Sequence, residues 1–381
     1  MARYTTKLTA LALLASVGIA HAGGFSRGAA DTDILFEEGN FNLRTGVAFV
    51  SPTRKFTKGF APLGGTVVGT DSYESYAVPS AAVKLNITDD MRCTTTMTDV
   101  YGGSTAYAVP YGTSAKLSEK FTSTEFGLTC GYKFDLSKGR AWILGGLYYE
   151  DFSYDLVAVA GAINTKLDAT DTGFRVGAAY EIPEIALRAQ LMYRSGTEYD
   201  ATGTTTRRGP TGTGLDGLPL GVAVPVASGN GELPQSVEMK LQSGVAPGWL
   251  VTGSVKWTDW SVLETLDLTI APGVDRQNLY YWRDGWTVSV GVGHAFNEQL
   301  SGAVSLTWDR GVGTGFDLSS DTWTLGSGIS FKDEFGGEVR FGGAITYLTS
   351  AEETQYSPAF LNAAVDSGWA FAVGGSYKAK W

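Results

Sequence analysis

Along most of the chain, apolar side chains alternate with small or polar ones, the period-two signature of strands whose two faces meet different surroundings. The last segment shows it most fully: Trp369, Phe371, Val373, Gly375, Tyr377, Ala379 and Trp381 share one face, and Ala370, Ala372, Gly374, Ser376, Lys378 and Lys380 the other. Trp323, Leu325, Ile329 and Phe331 are sorted in the same way from Thr322, Thr324, Gly326, Gly328, Ser330 and Lys332. Such segments predict fourteen strands, near 41–57, 74–88, 91–102, 121–136, 140–156, 165–182, 185–202, 235–246, 249–266, 281–297, 300–311, 319–332, 337–350 and 366–381. Their connections alternate in length: 88–90, 136–139, 183–184, 247–248, 298–299 and 332–336 are short, whereas 58–73, 103–120, 157–164, 203–234, 267–280, 312–318 and 351–365 are mostly longer.

An even number of antiparallel strands, with one tight rim and one elaborate rim, predicts an all-β fold: a transmembrane antiparallel β-barrel of about 14 strands, closed so that no backbone edge faces lipid. Trp323 and Phe331, or Trp369 and Tyr377, lie eight residues apart on one face. At about 3.3 Å per residue and a tilt near 40°, they bracket an apolar band about 20 Å tall, as interfacial girdles do. An exported β-sandwich would also alternate, but its solvent face would carry far more charge than the 18% Asp, Glu, Lys and Arg found.

Lys and Arg total 29 against 39 Asp and Glu, so no basic surface is available for nucleic-acid phosphates and no nucleic-acid partner is expected. Arg3 and Lys7, the apolar run from Leu8 to Ala20 and the small-x-small step Ala20-His21-Ala22 predict a signal peptide over 1–22 and export. Elsewhere no apolar run approaches the roughly 18 residues of a spanning helix. Cys93 and Cys130 are the only cysteines, too few for a disulfide scaffold or a structural zinc site.

If the apolar face meets lipid, the opposite parity faces the lumen and carries Arg44, Glu125, Lys133, Arg175, Arg188, Arg194, Glu238, Lys240, Asp309, Glu338, Arg340, Lys378 and Lys380. Two readings stand. These charges pair across a lumen too wide for apolar packing, or some arginines, Arg44, Arg175 and Arg188 foremost, meet the carboxylate of an amphiphilic solute. Hydrolysis needs a histidine base held by a carboxylate or amide, yet beyond the signal the sole histidine is His294, on the lipid face by parity. No catalytic residue, metal site or cofactor is expected. The segment 203–234 is unusually apolar for an external loop, with Leu215, Leu218, Leu220, Val222, Val224 and Val226. It reads either as a first contact for a greasy ligand or as residues folded down on neighbouring loops.

The C-terminal half carries Leu233-Pro234 opening a strand, Trp257-Thr258-Asp259-Trp260-Ser261, Trp282-Arg283-Asp284-Gly285-Trp286 leading to Gly291, and Asp309 closing the next strand. On these residues the chain resembles the FadL/TodX family of outer-membrane transport proteins for long-chain fatty acids and other hydrophobic compounds. The resemblance implies a fourteen-strand barrel in the outer membrane of a Gram-negative bacterium, an N-terminal hatch, capture at external loops and lateral exit at a kink in the third strand. That kink maps to Tyr101-Gly102-Gly103, where paired glycines would leave hydrogen bonds unmade; a plain strand end is the alternative. The layout expected is 1–22 signal, 23–40 plug and 41–381 barrel. The plug lacks the family's Asn-Pro-Ala motif, but Phe25, Ile34, Leu35 and Phe36 are apolar enough to fill the lumen. Trp381 resembles the terminal aromatic by which barrel-assembly machinery recognises its clients.

The leading expectation is therefore a passive channel, and not an enzyme, for hydrophobic or amphipathic compounds such as long-chain fatty acids. It would be driven by the ligand's own transfer to apolar surroundings at about 0.8 kcal/mol per buried CH₂. A general diffusion porin and a structural barrel are the alternatives. Outer-membrane lipid, lipopolysaccharide or detergent would cover its exterior, and a closed barrel, having no edge to pair, is expected to be a monomer. Export predicts a Cys93–Cys130 bridge, so titration of the unreduced protein should find no free thiol; two titrating thiols would contradict it.

Overall fold

A computed structural model describes residues 23–381 apart from 209–211, 214–218, 272–273, 335 and 358–360. Fourteen antiparallel strands close into one barrel. They are β1 (Phe41–Thr53), β2 (Tyr76–Asn86), β3 (Met91–Tyr111), β4 (Lys116–Asp135), β5 (Arg140–Ala158) and β6 (Ile163–Ile182). Next come four strands broken in two: β7 (Leu187–Arg194, Thr197–Arg207), β8 (Ala223–Leu233, Ser236–Ala246), β9 (Trp249–Thr258, Thr265–Ala271) and β10 (Val274–Leu279, Gly285–Ala295). β11 (Leu300–Arg310), β12 (Thr322–Lys332), β13 (Glu338–Leu348) and β14 (Gly368–Lys380) complete the wall. Closure is by β1, which pairs with β14 from Asn42↔Lys380 to Thr53↔Trp369 and with β2 from Phe41↔Leu85 to Val50↔Tyr76.

The alternation is obeyed as read. Leu147, Ile143, Leu325, Phe341 and Val373 point outward, Leu147 being 71% exposed, while Trp142, Leu144, Tyr148 and Glu150 of β5 point inward and are buried. Trp286, Trp323 and Trp369 near one rim, and Tyr132, Phe296, Phe331 and Tyr377 near the other, are exposed aromatics that flank this apolar band. An exterior so apolar is stable only in hydrocarbon. His294 also lies on this outer face, its ring 4.2 Å from that of Trp249 and tilted to it by 32°. Cys93 and Cys130 are directly opposed on β3 and β4, and their sulfurs are bonded.

The count of fourteen agrees with the sequence, but several boundaries move. Strand β3 continues to Tyr111 rather than ending near 102, and β4 begins at Lys116, so the expected loop 103–120 shrinks to a turn. Likewise β8 begins at Ala223 and the upper part of β10 at Val274. The wall from β3 to β10 thus stands taller than the rest, because pairing continues above the apolar band through polar outward positions such as Lys120, Asp151 and Thr202. The supposed capture loop is corrected accordingly: Val224 and Val226 belong to strand β8, where Val224 pairs with Thr205. Leu220 is half-buried in a short hairpin, Val222 is exposed, and Leu215 and Leu218 lie outside the described residues.

Replacing Leu147 with Arg should cost about 2–4 kcal/mol of unfolding free energy in a reversible urea titration of the bilayer-reconstituted barrel. Leu63→Arg, in the external loop 59–75, should change it by less than about 0.5 kcal/mol. Equal effects at the two positions would contradict this placement of the apolar band.

Candidate functional site

Much of the segment 23–37 is buried inside the barrel, whereas 38–40 are exposed. The segment's short 3-10 turn, Thr32–Phe36, is wholly buried, and Leu35 and Phe36 pack on the inward side chains Trp142, Leu144 and Ala179. The sequence pattern hid this seat, since β5 is apolar on both faces there. The Lys84 ammonium donates to the Glu37 and Gly39 carbonyls at 2.7 Å each, and Arg92 donates to the Leu35 carbonyl at 3.0 Å.

Arg44, Arg175, Arg188 and Arg194 all face carboxylates of the protein itself. Arg44 pairs with Asp31 and Glu37 of the plug, Arg175 with Glu125, and Arg188 approaches Asp33 at 3.9 Å. Arg194 bridges Glu125 and Glu150, and Tyr199 and Thr197 donate their hydroxyls to Glu150. This corrects the reading of Arg44, Arg175 and Arg188 as partners for a ligand carboxylate. The protein's own carboxylates occupy them, as buried charge requires. Between this lattice and the plug remains a polar space of about 310 Å³, lined by Arg188, Arg194, Glu238, Lys240 and Lys256 among others.

Higher up, β7 to β10 all break at one level, at 195–196, 234–235, 259–264 and 280–284. The breaks carry Trp260, fully buried in a single 3-10 turn, and Trp282, both turned into the lumen. Phe25 of the plug meets them there: its ring lies 6.1 Å from Trp260, 4.8 Å from Trp282 and 4.7 Å from Phe121. Tyr101 completes this aromatic waist 5.5 Å from Trp260, its hydroxyl donating to the Pro234 carbonyl at 3.2 Å. Polar members of the same motif fix the breaks, as Gln235 donates to Asp259 and Trp257 to Asp284, each at 2.9 Å.

Above the waist lies an apolar cavity of about 120 Å³. Phe25 and Leu263 form its floor, Phe121, Phe152, Tyr154, Leu167, Tyr199 and Leu268 its walls, and Tyr280 closes one side. Sequence reasoning missed these inward aromatics, because it assigned the whole apolar class to lipid. The available signal was that Phe121, Phe152 and Tyr199 share parity with the lumenal Glu125, Glu150 and Thr197.

Just before Tyr101-Gly102-Gly103 the β3–β4 register slips, between Asp99 and Tyr101. On its other side, β3 pairs with β2 only from Asn86↔Arg92 to Ser80↔Thr98, and contact resumes higher, where Tyr73 bridges Thr105. The window between is not left with unmade hydrogen bonds, which corrects that expectation. The plug fills it: Arg27 N donates to Val100 O and Gly102 N to Phe25 O, both at 2.9 Å, and the Arg27 guanidinium lies over the Tyr76 ring at 4.2 Å. Gly28 passes so close that a Cβ there would stand 2.8 Å from the Asp99 carbonyl.

A closed barrel with a lipid-facing exterior defines the class, an outer-membrane β-barrel of the Gram-negative type. The family model for outer membrane protein transport proteins (OMPP1/FadL/TodX) matches residues 152–302, which include the Trp257–Ser261 and Trp282–Trp286 motifs, so the resemblance drawn from those residues is shown. A Pseudomonas aeruginosa FadL homologue has the same fold at a TM-score of 0.70 and 12% identity, over 90% of this chain and 91% of that one. The Pseudomonas putida toluene transporter TodX matches at 0.62 and 14%, over 97% of each chain. The Ralstonia pickettii toluene transporter TbuX matches at 0.59 and 12%, over 91% and 90%. No curated protein matches by sequence.

The plug's ion pairs predict its response to acid. Burial alone would raise the Asp33 carboxyl, but Lys240 and Arg188 outweigh it and hold it at about 2 instead of the ordinary 3.8. A depressed carboxyl stabilises the folded plug fully above the ordinary value, and that contribution disappears as pH falls through the folded one. Amide-exchange protection of 31–38 should therefore hold from pH 7 to 5 and fall between about pH 4 and 2. Asp33→Asn should remove much of that pH dependence; a profile unchanged from the parent would contradict the assignment.

Proposed function

We propose that this protein is a passive channel for small hydrophobic compounds. They would be taken from outside into the cavity above the waist and released sideways into the membrane through the β2–β3 window when Phe25 and Arg27 move aside. The cavity carries this reading: about 120 Å³ of largely apolar space, walled by aromatic and aliphatic side chains, above a floor crowded with ion pairs. An apolar cavity of about 150 Å³ binds benzene and stays dry, so the volume suits one aromatic ring or a short alkyl segment. Transfer of such a ligand from water is favourable without an energy source.

The names of the fold's relatives point the same way, since two of them are described as toluene transporters. Long-chain fatty acids stand second, because a long acyl chain would overrun this cavity into the charged space beneath. A hydrophilic porin fits less well: hydrophilic solutes need a continuous wet path, and the plug with its ion pairs occupies the lumen below the waist. External loops would supply the first contact, lipid and lipopolysaccharide the surroundings, and Trp381 the handle for the assembly machinery.

Cells lacking their own hydrophobic-compound channel and expressing this protein should take up labelled toluene faster than vector controls, and labelled sugar no faster. Gly231→Leu is the structural control, since the new side chain would start 3.3 Å from Leu266 and project into the cavity. It should reduce toluene uptake about tenfold while the barrel remains folded. Sugar uptake, or toluene uptake indifferent to Gly231→Leu, would overturn the proposal.

A further inference from the structure

Two charged residues border the cavity, Glu119 and Glu232; Glu232 is exposed on the outer face of its strand, whereas Glu119 is turned inward. Glu119 of β4 shares the lumenal face with Phe121, Ser123 and Glu125, and it lines the cavity beside Phe121, Tyr154 and Tyr280. Its Oε1 accepts the Tyr154 hydroxyl at 2.6 Å and its Oε2 accepts the Lys116 ammonium. These two donors hold the carboxylate in one orientation. An ionised carboxylate offers about four lone-pair sites, so two donors leave it able to accept another.

Resting on the cavity reading above, we propose that Glu119 makes this channel selective for small aromatic compounds bearing a hydrogen-bond donor, phenols above all, over plain hydrocarbons and over carboxylates. A hydrocarbon ring and a phenol gain the same apolar contact from Phe121, Phe152 and Leu268. Only the phenol adds a hydrogen bond to a charged acceptor, stronger than a bond between neutral groups and strengthened further by apolar surroundings. A ligand carboxylate meets the reverse condition. Lys116 is already committed to Glu119, so a second anion would face the Glu119 oxygens and would have to compete with them for that cation. The short Lys116–Glu119 spacing sets this ion pair next to the turn that joins β3 to β4.

The test is equilibrium dialysis of the purified barrel in detergent against labelled phenol, toluene and benzoate, with a detergent blank subtracted. The wild type should bind phenol about tenfold more tightly than toluene and benzoate no better than the blank. Glu119→Leu should bring phenol to the toluene level and leave toluene within about twofold. Tyr154→Phe, which keeps Glu119 and removes a competing donor, should strengthen phenol binding and provides a second readout if Glu119→Leu fails to fold. A phenol-to-toluene ratio unmoved by these substitutions, or benzoate bound as well as phenol, would overturn the inference and leave the channel reading standing. If the wild type binds none of the three, both fall together.

Discussion

In hydrocarbon an unpaired backbone N–H or C=O has no water to turn to and costs several kcal/mol. Closure of β1 onto both β14 and β2 meets that requirement around nearly the whole wall. The place where it is not met strand to strand, β3 above Thr98, is where the N-terminal segment enters the sheet. Phe25 and Arg27 bond Gly102 and Val100, so the plug acts both as lumen filler and as a short piece of wall. Whatever moves the plug also reopens two backbone groups, which ties any sideways path to the plug's position.

The same segment organises the lumen in layers. Leu35 and Phe36 seat the plug on an apolar patch of β5, Asp31, Asp33 and Glu37 tie it to cations of the wall, and Phe25 reaches up to the tryptophans of the waist. Buried ion pairs of this kind add little net stability over apolar packing, but removing one partner leaves a costly bare charge. They therefore fix where the plug sits more than how strongly the barrel holds. Above them the chemistry changes from charge to aromatic surface within the span of Glu150, Phe152 and Tyr154 on one strand.

Strand number, the two rims and the outward face were legible because a period of two survives substitution of one apolar residue for another. Residues such as Leu147, Trp323 and Phe371 declare their face by their neighbours alone. The site was less legible for identifiable reasons. Inward aromatics such as Phe152 and Tyr199 lie in strands whose outer face turns polar above the membrane, so the rule that apolar means lipid inverts there. The pairing of Arg175 with Glu125, fifty residues away, depends on register between strands that no local pattern encodes. The motif around Trp257–Ser261 was visible as a resemblance, yet its physical role, breaking a strand to turn Trp260 inward, needed the fold. The apolar residues of the N-terminal segment stand out in the sequence, while the seat of Leu35 and Phe36 at Trp142 and Leu144 was masked by a strand apolar on both sides.

The proposed function requires that the space above the waist receive a small hydrophobic ligand. The most direct measurement is a crystal structure of the barrel soaked with bromobenzene, with the bromine located by its anomalous signal. A peak is expected inside the cavity among Phe121, Phe152 and Leu268, above the ring of Phe25. A bromine in the charged space beside Arg188 and Lys240, or none inside the barrel at saturating ligand, would contradict it.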